Sequence, residues 1–351
     1  MEESVRHHKQ ARHRRNEFRC KENLVPLNRF LSLGTVSMLV LAIGCSTPPQ
    51  ATGPSFTLYA VQNSTGIAGS SVLELPVNNG QTGQLSVTPT TILSVAMQTS
   101  FQALAVDNAG NLYVSATVVT APPFLNEIQV YAPGAATPTY SLTSLTSQAS
   151  SIAVDATGAV YALNGNNISV FAPGATGNAA PIRIIAGSLT QLNDASGIAV
   201  DSAQNIYVAN TNSGNVLVFS STETGNVAPS RILAGTATGI TTPVGLAVDS
   251  AGDIYIASFN QPSNSSLVLE FAPGATGNAA PTRTLTAVAS DTLAGMAVDA
   301  LDNLYVFTQA PTSNQLAIAV FSPGATGSAA PSATITSSAW TASNFGQIAV
   351  R

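Results

Sequence analysis

The chain has 351 residues, and its 12 Lys and Arg against 17 Asp and Glu give a formal net charge of −5. All three histidines and eight of the basic residues precede residue 30, and after residue 45 only four arginines stand against thirteen acidic residues. This composition excludes the basic surface that a nucleic-acid partner requires. It also leaves no His, Lys or thiol after Cys45 for zinc binding or acid–base catalysis.

The first 45 residues have the order of an export signal. A basic stretch from Arg6 to Arg29 precedes an uncharged apolar run, residues 30–44, that is shorter than the about 20 residues of a membrane span. The run ends in Leu-Ala-Ile-Gly before Cys45, and this end resembles the lipobox of bacterial lipoproteins. The resemblance implies cleavage before Cys45, acylation of its thiol and anchoring in the bacterial cell envelope, on the periplasmic or outer-surface side. An ordinary cleaved signal and an uncleaved anchor are the alternatives, and residues 46–55 would form the tether.

A short motif recurs along the remainder of the chain. It is an apolar residue followed by Ala, Val and Asp, and its five copies end at Asp107, Asp155, Asp201, Asp249 and Asp299. A sixth copy, Ile348-Ala349-Val350-Arg351, ends in Arg instead, and successive copies lie 46 to 52 residues apart. A segment centred on Tyr follows each of the first five copies, at Tyr113, Tyr161, Tyr207, Tyr255 and Tyr305.

Each repeat continues with two further strand patterns. A third segment such as ISVF is followed by a turn such as Pro173-Gly174-Ala175-Thr176-Gly177-Asn178 and then by a fourth short segment. Apolar residues alternate with small or polar ones in these segments, and no helical period follows residue 45. Because four-stranded units of about 40 to 50 residues are typical of propeller blades, the sequence predicts an all-β fold.

The incomplete first and last repeats favour a ring over an open solenoid. The first begins at the Tyr strand, from Phe56, without its preceding motif, and the last motif has no strands after it. Joined, they make one complete blade, which removes two sheet edges, whereas a solenoid would need capping repeats. We therefore predict a monomeric six-bladed β-propeller over residues 56–351, with four-stranded blades and a ring closed by the C-terminal strand joining the N-terminal three.

The central repeat carries a family resemblance. Gly197-Ile198-Ala199-Val200-Asp201, Asn205-Ile206-Tyr207-Val208-Ala209 and Val216-Leu217-Val218-Phe219 resemble an NHL repeat. The likeness extends over nearly everything from Phe56 onward, although the basic residues that usually precede the third strand in that family are absent. The resemblance implies the propeller fold and no particular activity.

The five recurring Asp residues admit two interpretations. Carboxylates that converge on a channel could hold calcium through oxygen ligands, with Asp107, Asp155, Asp201, Asp249 and Asp299 as the candidate ligands. Each Asp also begins a segment such as Asp107-Asn108-Ala109-Gly110, in which its side chain would cap the backbone amides of a tight turn. The pattern favours the turn, and we predict no catalytic residue and no cofactor.

Three arginines occupy one repeated position. Arg183, Arg231 and Arg283 each stand two residues after a proline, near the start of the predicted outermost strand. They could form a rim that binds carboxylates. We favour the interpretation that the charges and the prolines protect an exposed edge strand from pairing with another chain.

Connections of variable length are predicted at one end of the ring. Strand direction puts the first-to-second and third-to-fourth turns on one face, the turn face, and the other connections on the opposite face, the loop face. Variable loops on a rigid scaffold are common sites of recognition, and aromatic and amide side chains suit contacts with protein or glycan. The candidate ligand-face residues are Phe124, Asn210, Phe259, Asn260 and Trp340, with packing onto the blades as the alternative for Trp340.

The residues favour a binding or scaffold module for protein or glycan ligands. Lactonases, peptidylglycine lyases and streptogramin lyases share this general architecture, but the two kinds of lyase depend on histidine. A lactonase-like divalent-cation site could in principle be assembled from Glu127, Asp194, Asn210, Asn260 and Asp291. A cation-dependent hydrolase is therefore the alternative function, and a structural cell-surface protein is a further one.

Overall fold

The computed structural model describes residues 55–62, 70–78, 82–86, 88–94, 99–118, 124–260, 265–286, 292–309, 315–337, 340 and 345–351. The predicted signal segment, Cys45 and all of the tether except Ser55 lie outside these residues. The described part contains 25 strands and three short 3-10 helices. None of its helices is long and apolar enough to cross a bilayer.

The strands form six sheets, and four antiparallel strands of each sheet make one blade. Blade 1 contains β1 (Ser55–Gln62), β2 (Ser71–Asn78), β4 (Thr90–Ser94) and β25 (Phe345–Val350), and β3 (Gly83–Ser86) lies between its third and fourth strands in the chain. Blade 2 contains β5 (Thr99–Val106), β6 (Leu112–Val118), β7 (Leu125–Tyr131) and β8 (Tyr140–Leu142). Blade 3 contains β9 (Ser151–Val154), β10 (Val160–Asn164), β11 (Asn167–Phe171) and β12 (Arg183–Ala186).

The remaining blades repeat this order. Blade 4 contains β13 (Ala195–Val200), β14 (Ile206–Asn210), β15 (Asn215–Phe219) and β16 (Arg231–Leu233). Blade 5 contains β17 (Thr242–Val248), β18 (Ile254–Asn260), β19 (Ser265–Phe271) and β20 (Arg283–Leu285). Blade 6 contains β21 (Thr292–Val298), β22 (Leu304–Gln309), β23 (Leu316–Phe321) and β24 (Ala333–Thr336). The 3-10 helices are Ser188–Thr190, Thr211–Ser213 and Thr236–Thr238.

The C-terminal strand closes the ring. β25 is the innermost strand of blade 1 and pairs antiparallel with β1, so that Tyr59 faces Ala349 and Leu58 faces Val350. Thr57 and Arg351 exchange two backbone hydrogen bonds, of 2.9 and 3.1 Å. The inner strands β25, β5, β9, β13, β17 and β21 contact one another in a complete cycle. The predicted six-bladed, all-β ring with this closure is confirmed.

The hydrophobic core lies between the blades. Each strand presents alternate side chains to the two neighbouring blades, and each apolar cluster combines residues of two adjacent blades, as in the packing of Tyr161 and Val170 against Ile206 and Leu217. An aromatic residue ends the third strand of five blades and is at most 2% exposed: Tyr131, Phe171, Phe219, Phe271 and Phe321. Burial of such apolar surface is the main stabilising term in folding, so that each blade depends on its neighbours.

Candidate functional site

A channel of about 620 Å³ runs along the centre of the ring. The inner strands of all six blades line the channel. Each of these strands begins at the loop face and ends at the turn face. Because these strands pair on only one side, their other edge presents backbone amide and carbonyl groups to the channel. The channel is therefore polar even where its side chains are not.

The side chains that line the channel differ between its two ends. Six valines form a ring near the turn face: Val106, Val154, Val200, Val248, Val298 and Val350. Amide and hydroxyl side chains line the end at the loop face, which we call the neutral mouth: Ser100, Gln102, Gln148, Ser150, Ser196 and Gln347. No Asp, Glu, Lys or Arg is among the described residues that line the channel. The mouth thus offers uncharged hydrogen-bond donors and acceptors.

One side chain spans the neutral mouth. Gln347 of blade 1 donates its Nε2 to the hydroxyl of Ser151 in blade 3, across the inner strand of blade 2. The same hydroxyl accepts the backbone amide of Ile198 in blade 4, at 3.1 Å. Nearby, Gln148 Nε2 donates to the carbonyl of Ser100 at 3.1 Å. Side-chain bonds therefore join blades 1, 3 and 4 at this end of the channel.

Neither Gln347 nor Ser151 was among the site residues predicted from the sequence. Both occupy the position before the recurring motif, where the other blades have Ala103, Gly197, Gly245 and Gly295. At this position the next inner strand is already within van der Waals contact, since a Cβ on Gly197 would lie 3.5 Å from the backbone nitrogen of Leu246. Gln347 has a large side chain at a position where the other five blades have Ala, Ser or Gly. This difference in size could have identified it from the sequence.

The recurring Asp residues cap the turns between the first and second strands. Asp155 Oδ1 accepts the backbone amides of Thr157 and Ala159 at 2.8 and 3.0 Å, and Oδ2 accepts the hydroxyl of Tyr161 at 3.0 Å. The same three kinds of donor reach the other four carboxylates, Asp107, Asp201, Asp249 and Asp299. Both oxygens of each carboxylate thus receive donors from their own blade. This geometry favours the turn interpretation over a calcium site.

The Asp–Tyr pairs change the ionisation of their members. Burial raises the pKa of the Asp155 carboxyl, but hydrogen bonds from Thr157, Ala159 and Tyr161 outweigh it and lower the pKa overall. Burial, followed by the hydrogen bond to Asp155, raises the pKa of Tyr161 to about 12. The carboxylate is therefore ionised and the phenol neutral over the physiological pH range.

The repeated arginines connect adjacent blades. Arg231 Nη2 donates to the hydroxyl of Tyr207 at 3.1 Å, and Arg231 Nη1 donates to the carbonyl of Ala275 in the next blade at 3.4 Å. Arg183 and Arg283 make equivalent bonds to carbonyls of the following blade, and Arg283 also forms an ion pair with Glu270. The interpretation that these charges protect an open edge is wrong, because the side chains reach inward to the neighbouring turn.

The five candidate ligand-face residues have different environments. Phe124 is 56% exposed, and Phe259 and Asn260 are partly exposed at the end of β18. Asn210 is fully buried, where its Oδ1 accepts the amide of Asn193 at 2.6 Å and its Nδ2 donates to the carbonyl of Gln191 at 3.0 Å. Trp340 is 9% exposed and packs against Phe307, with ring centroids 6.1 Å apart. Asn210 and Trp340 thus support the fold, and Phe124 offers the most accessible of the three aromatic rings.

The described residues that were considered for a lactonase-like site have different surroundings. Glu127 is 7% exposed and accepts a 2.6 Å hydrogen bond from Gln129, whose Oε1 accepts the hydroxyl of Tyr131. Asp194 is exposed with a left-handed backbone, at φ 55°, and Asp291 lies outside the described residues. Within the described ranges, no three His, Cys, Asp or Glu side chains form a group that could hold a metal ion.

Comparison with known proteins supports the repeat and the fold. Residues 192–219 match the family model of the NHL repeat. No curated protein sequence matches the chain significantly. A chain in the crystal structure of the mitotic checkpoint complex is 11% identical with a TM-score of 0.50, over 81% of this chain and 85% of that one.

Two further solved structures match the chain with TM-scores below 0.5. The periplasmic gluconolactonase of Pseudomonas aeruginosa is 12% identical with a TM-score of 0.48, over 78% of this chain and 84% of that one. The hydrazine synthase of Kuenenia stuttgartiensis is 12% identical with a TM-score of 0.47, over 64% of this chain and 63% of that one, so that this chain spans less than two thirds of its length. At these identities the likeness is one of fold alone.

Proposed function

We propose that this six-bladed NHL-repeat propeller is a binding module of the bacterial cell envelope, anchored through acyl chains on Cys45. Its ligand is an uncharged part of a protein or glycan that binds at the loop face. The observation that carries the proposal is the neutral mouth, where Gln102, Gln148, Ser196 and Gln347 surround the channel without a charged side chain among the described residues.

The chemistry of the mouth selects the class of ligand. Amides and hydroxyls can both donate and accept, which suits sugar hydroxyls and peptide groups. A phosphate or carboxylate ligand would instead require a cation or a helix N-terminus to offset its charge. The exposed ring of Phe124 lies on the same face and provides an apolar contact surface of the kind that concentrates binding energy.

Binding to neutral glycans and peptides tests the recognition. The purified protein would be applied to arrays of both ligand classes, and a hit would be quantified by calorimetry. Truncation of the ring in Phe124→Ala and loss of the amide in Gln102→Ala are each expected to weaken binding about fivefold or more. The matched control is Ile182→Ala, since Ile182 is 61% exposed immediately before the outer strand of blade 3, away from the channel.

Three outcomes would count against this proposal. Binding that is unchanged in both loop-face variants would move the ligand site elsewhere. Hydrolysis of a lactone that disappears with chelator would support the cation-dependent enzyme instead. A protein with neither property would be the structural cell-surface alternative.

Anchoring is tested at Cys45. The variant Cys45→Ser cannot be acylated, and we expect it to leave the detergent-enriched phase and the membrane fraction. Two or more acyl chains hold a protein firmly at a membrane, so that the shift between fractions should be nearly complete. Cys20→Ser is the matched control, because Cys20 would be removed with the signal segment. Membrane retention of Cys45→Ser would contradict lipid anchoring through this residue.

A further inference from the structure

The outer strands of four blades are covered by the turn of the next blade. In blade 2, the amide of Gly177 from blade 3 donates to the carbonyl of Ser141 at 2.7 Å, and the amide of Thr143 donates to the carbonyl of Gly177 at 2.8 Å. The turn runs parallel to the outer strand, and equivalent bridges join Ile185 to Gly225, Leu233 to Gly277 and Leu285 to Gly327. These bonds satisfy backbone groups of strands that would otherwise form open edges.

The outer strand of blade 6 has a longer cover. β3, which belongs to the third-to-fourth connection of blade 1, pairs in parallel with β24 over four residues, from Ala333 with Gly83 to Thr336 with Ser86. Blades 2 to 6 therefore share one device, in which the following blade adds a parallel segment to the outer strand.

Among the described residues, blade 1 has no such cover, because the turn of blade 2 is shorter. In blade 3, Val170 of the third strand pairs with Arg183 of the fourth strand. The turn between them includes the nine residues 174–182. In blade 2, Val130 pairs with Tyr140, and its turn lacks a counterpart of Thr176-Gly177-Asn178. No described residue pairs with the outer side of β4.

The uncovered groups of β4 follow from the register. Val72 pairs with Leu93 as Ile128 pairs with Leu142, so that Leu93 takes the place of Leu142 and is likewise buried. Unlike in blade 2, the register then shifts, because Leu73 pairs with Thr91 and leaves Ile92 at an irregularity of the strand. The groups equivalent to the carbonyl of Ser141 and the amide of Thr143 are the carbonyl of Ile92 and the amide of Ser94. The preceding residues Thr90 and Thr91 are exposed and uncharged.

We infer that β4 is a docking edge for an extended, uncharged segment of a partner protein, which pairs in parallel as an added strand. The occupant would supply an amide to Ile92 and a carbonyl to Ser94, as the covering turns do in the other blades. A second copy of this chain is disfavoured, because two-fold pairing of β4 with itself would be antiparallel, whereas all five observed covers are parallel. The inference is independent of the loop-face ligand.

Hydrogen exchange and a peptide titration on the purified protein test this edge. The amide of Ser94 should exchange at least about tenfold faster than the amides of Ala186, Ala234 and Thr286, which donate to the covering turns. The probe is a synthetic peptide with the sequence of residues 82–87, which contains β3. Adding it should shift the NMR signals of Leu93 and Ser94 and slow the exchange of Ser94.

An insertion supplies the matched pair of variants. Placing Thr-Gly-Asn between Ala135 and Ala136 restores the turn length of the other blades, and it should protect Ser94 at least about tenfold and abolish peptide binding. Placing Thr-Pro-Asn at the same point adds the same length, but proline has no amide to reach Ile92 and cannot adopt the left-handed backbone of Gly177, at φ 58°. This variant should therefore leave both properties as in the parent.

Three results would overturn the inference, and two of them need no variant. A Ser94 amide as protected as that of Ala186 would mean that the edge is already covered. Peptide-induced shifts confined to other residues would exclude β4 as the docking edge. Dimerisation that the Thr-Gly-Asn insertion abolishes would assign the edge to a second copy of the chain.

Discussion

Single polar side chains fix the connections between neighbouring blades. Asn226 in the turn of blade 4 accepts the amide of Leu189 through its Oδ1 at 2.8 Å, and so caps the 3-10 helix Ser188–Thr190 of blade 3. Asn278 caps the helix Thr236–Thr238 in the same way, through the amide of Ala237 at 2.7 Å. Asn178 has the same place in blade 3, but the connection after blade 2 forms no helix for it to cap.

The three asparagines therefore provide a controlled comparison. We expect Asn226→Ala to lower the free energy of unfolding by about 1 kcal/mol, since a helix loses its cap and a backbone amide loses its acceptor. Asn178→Ala should change it by less than about 0.5 kcal/mol, as is usual for exposed positions. Urea unfolding of both variants checks the difference, and equal losses would show that the cap contributes nothing specific.

The buried tyrosines make the protein sensitive to alkali. Burial, followed by interaction with Glu127, raises the pKa of Tyr131 to about 12, and the pKa of Tyr161 is also raised to about 12. A phenol whose pKa is raised in the folded state contributes its full stability below its unfolded pKa of 10.0 and loses it as pH rises toward the folded value.

Stability should therefore fall steeply between about pH 10 and pH 12, by up to about 1.4 kcal/mol per pH unit for each such tyrosine. Urea midpoints across this range, with tyrosinate absorbance as a second signal, measure the slope. Tyr161→Phe should be less stable at neutral pH, because Asp155 loses a donor, and should show a shallower alkaline slope. A slope that Tyr161→Phe leaves unchanged would exclude Tyr161 as a contributor.

At the scale of strands and turns, sequence periodicity identified pairing within a blade but not pairing between blades. The recurring motif and the Tyr segments correctly placed the first and second strands, because alternation and turn residues are local signals. The parallel bridge from Gly177 to Leu142 depends on how two blades meet, and no local pattern reports it. For the same reason, the contacts of Arg231 with the next blade were taken for protection of an edge.

The sequence predicted where the candidate site lies better than it predicted which side chains form it. A central channel follows from the ring, and its freedom from charge follows from the Ala and Val of the recurring motif. The hydrogen bond from Gln347 to Ser151 joins residues that are 196 positions apart in the sequence. Only the closed ring brings them together. Asn210 was a candidate for the loop face because amide side chains suit ligand contacts, yet its amide is buried and forms hydrogen bonds with the backbone of the preceding connection.

For the molecule as a whole, ring closure determines whether the six blades act together. β25 covers the inner edge of β1, and its Ile348 packs in the cluster that contains Leu58, Phe307 and Trp340. Each blade buries its apolar faces only against its neighbours, so that one missing inner strand exposes the clusters on both sides of blade 1. A net stability of about 5 to 15 kcal/mol leaves little margin for such a loss.

We therefore expect deletion of residues 346–351 to remove most of the cooperative stability, seen as a lower melting temperature and a broader transition. The matched control moves residues 345–350 to a point before β1, joined by the turn sequence of residues 107–111. That permutant restores the order in which every other blade is encoded, and it should melt close to the parent. If the deletion variant melts like the parent, β25 does not close the ring in solution. If the permutant melts like the deletion variant, the strand acts through its terminal position and not through pairing with β1.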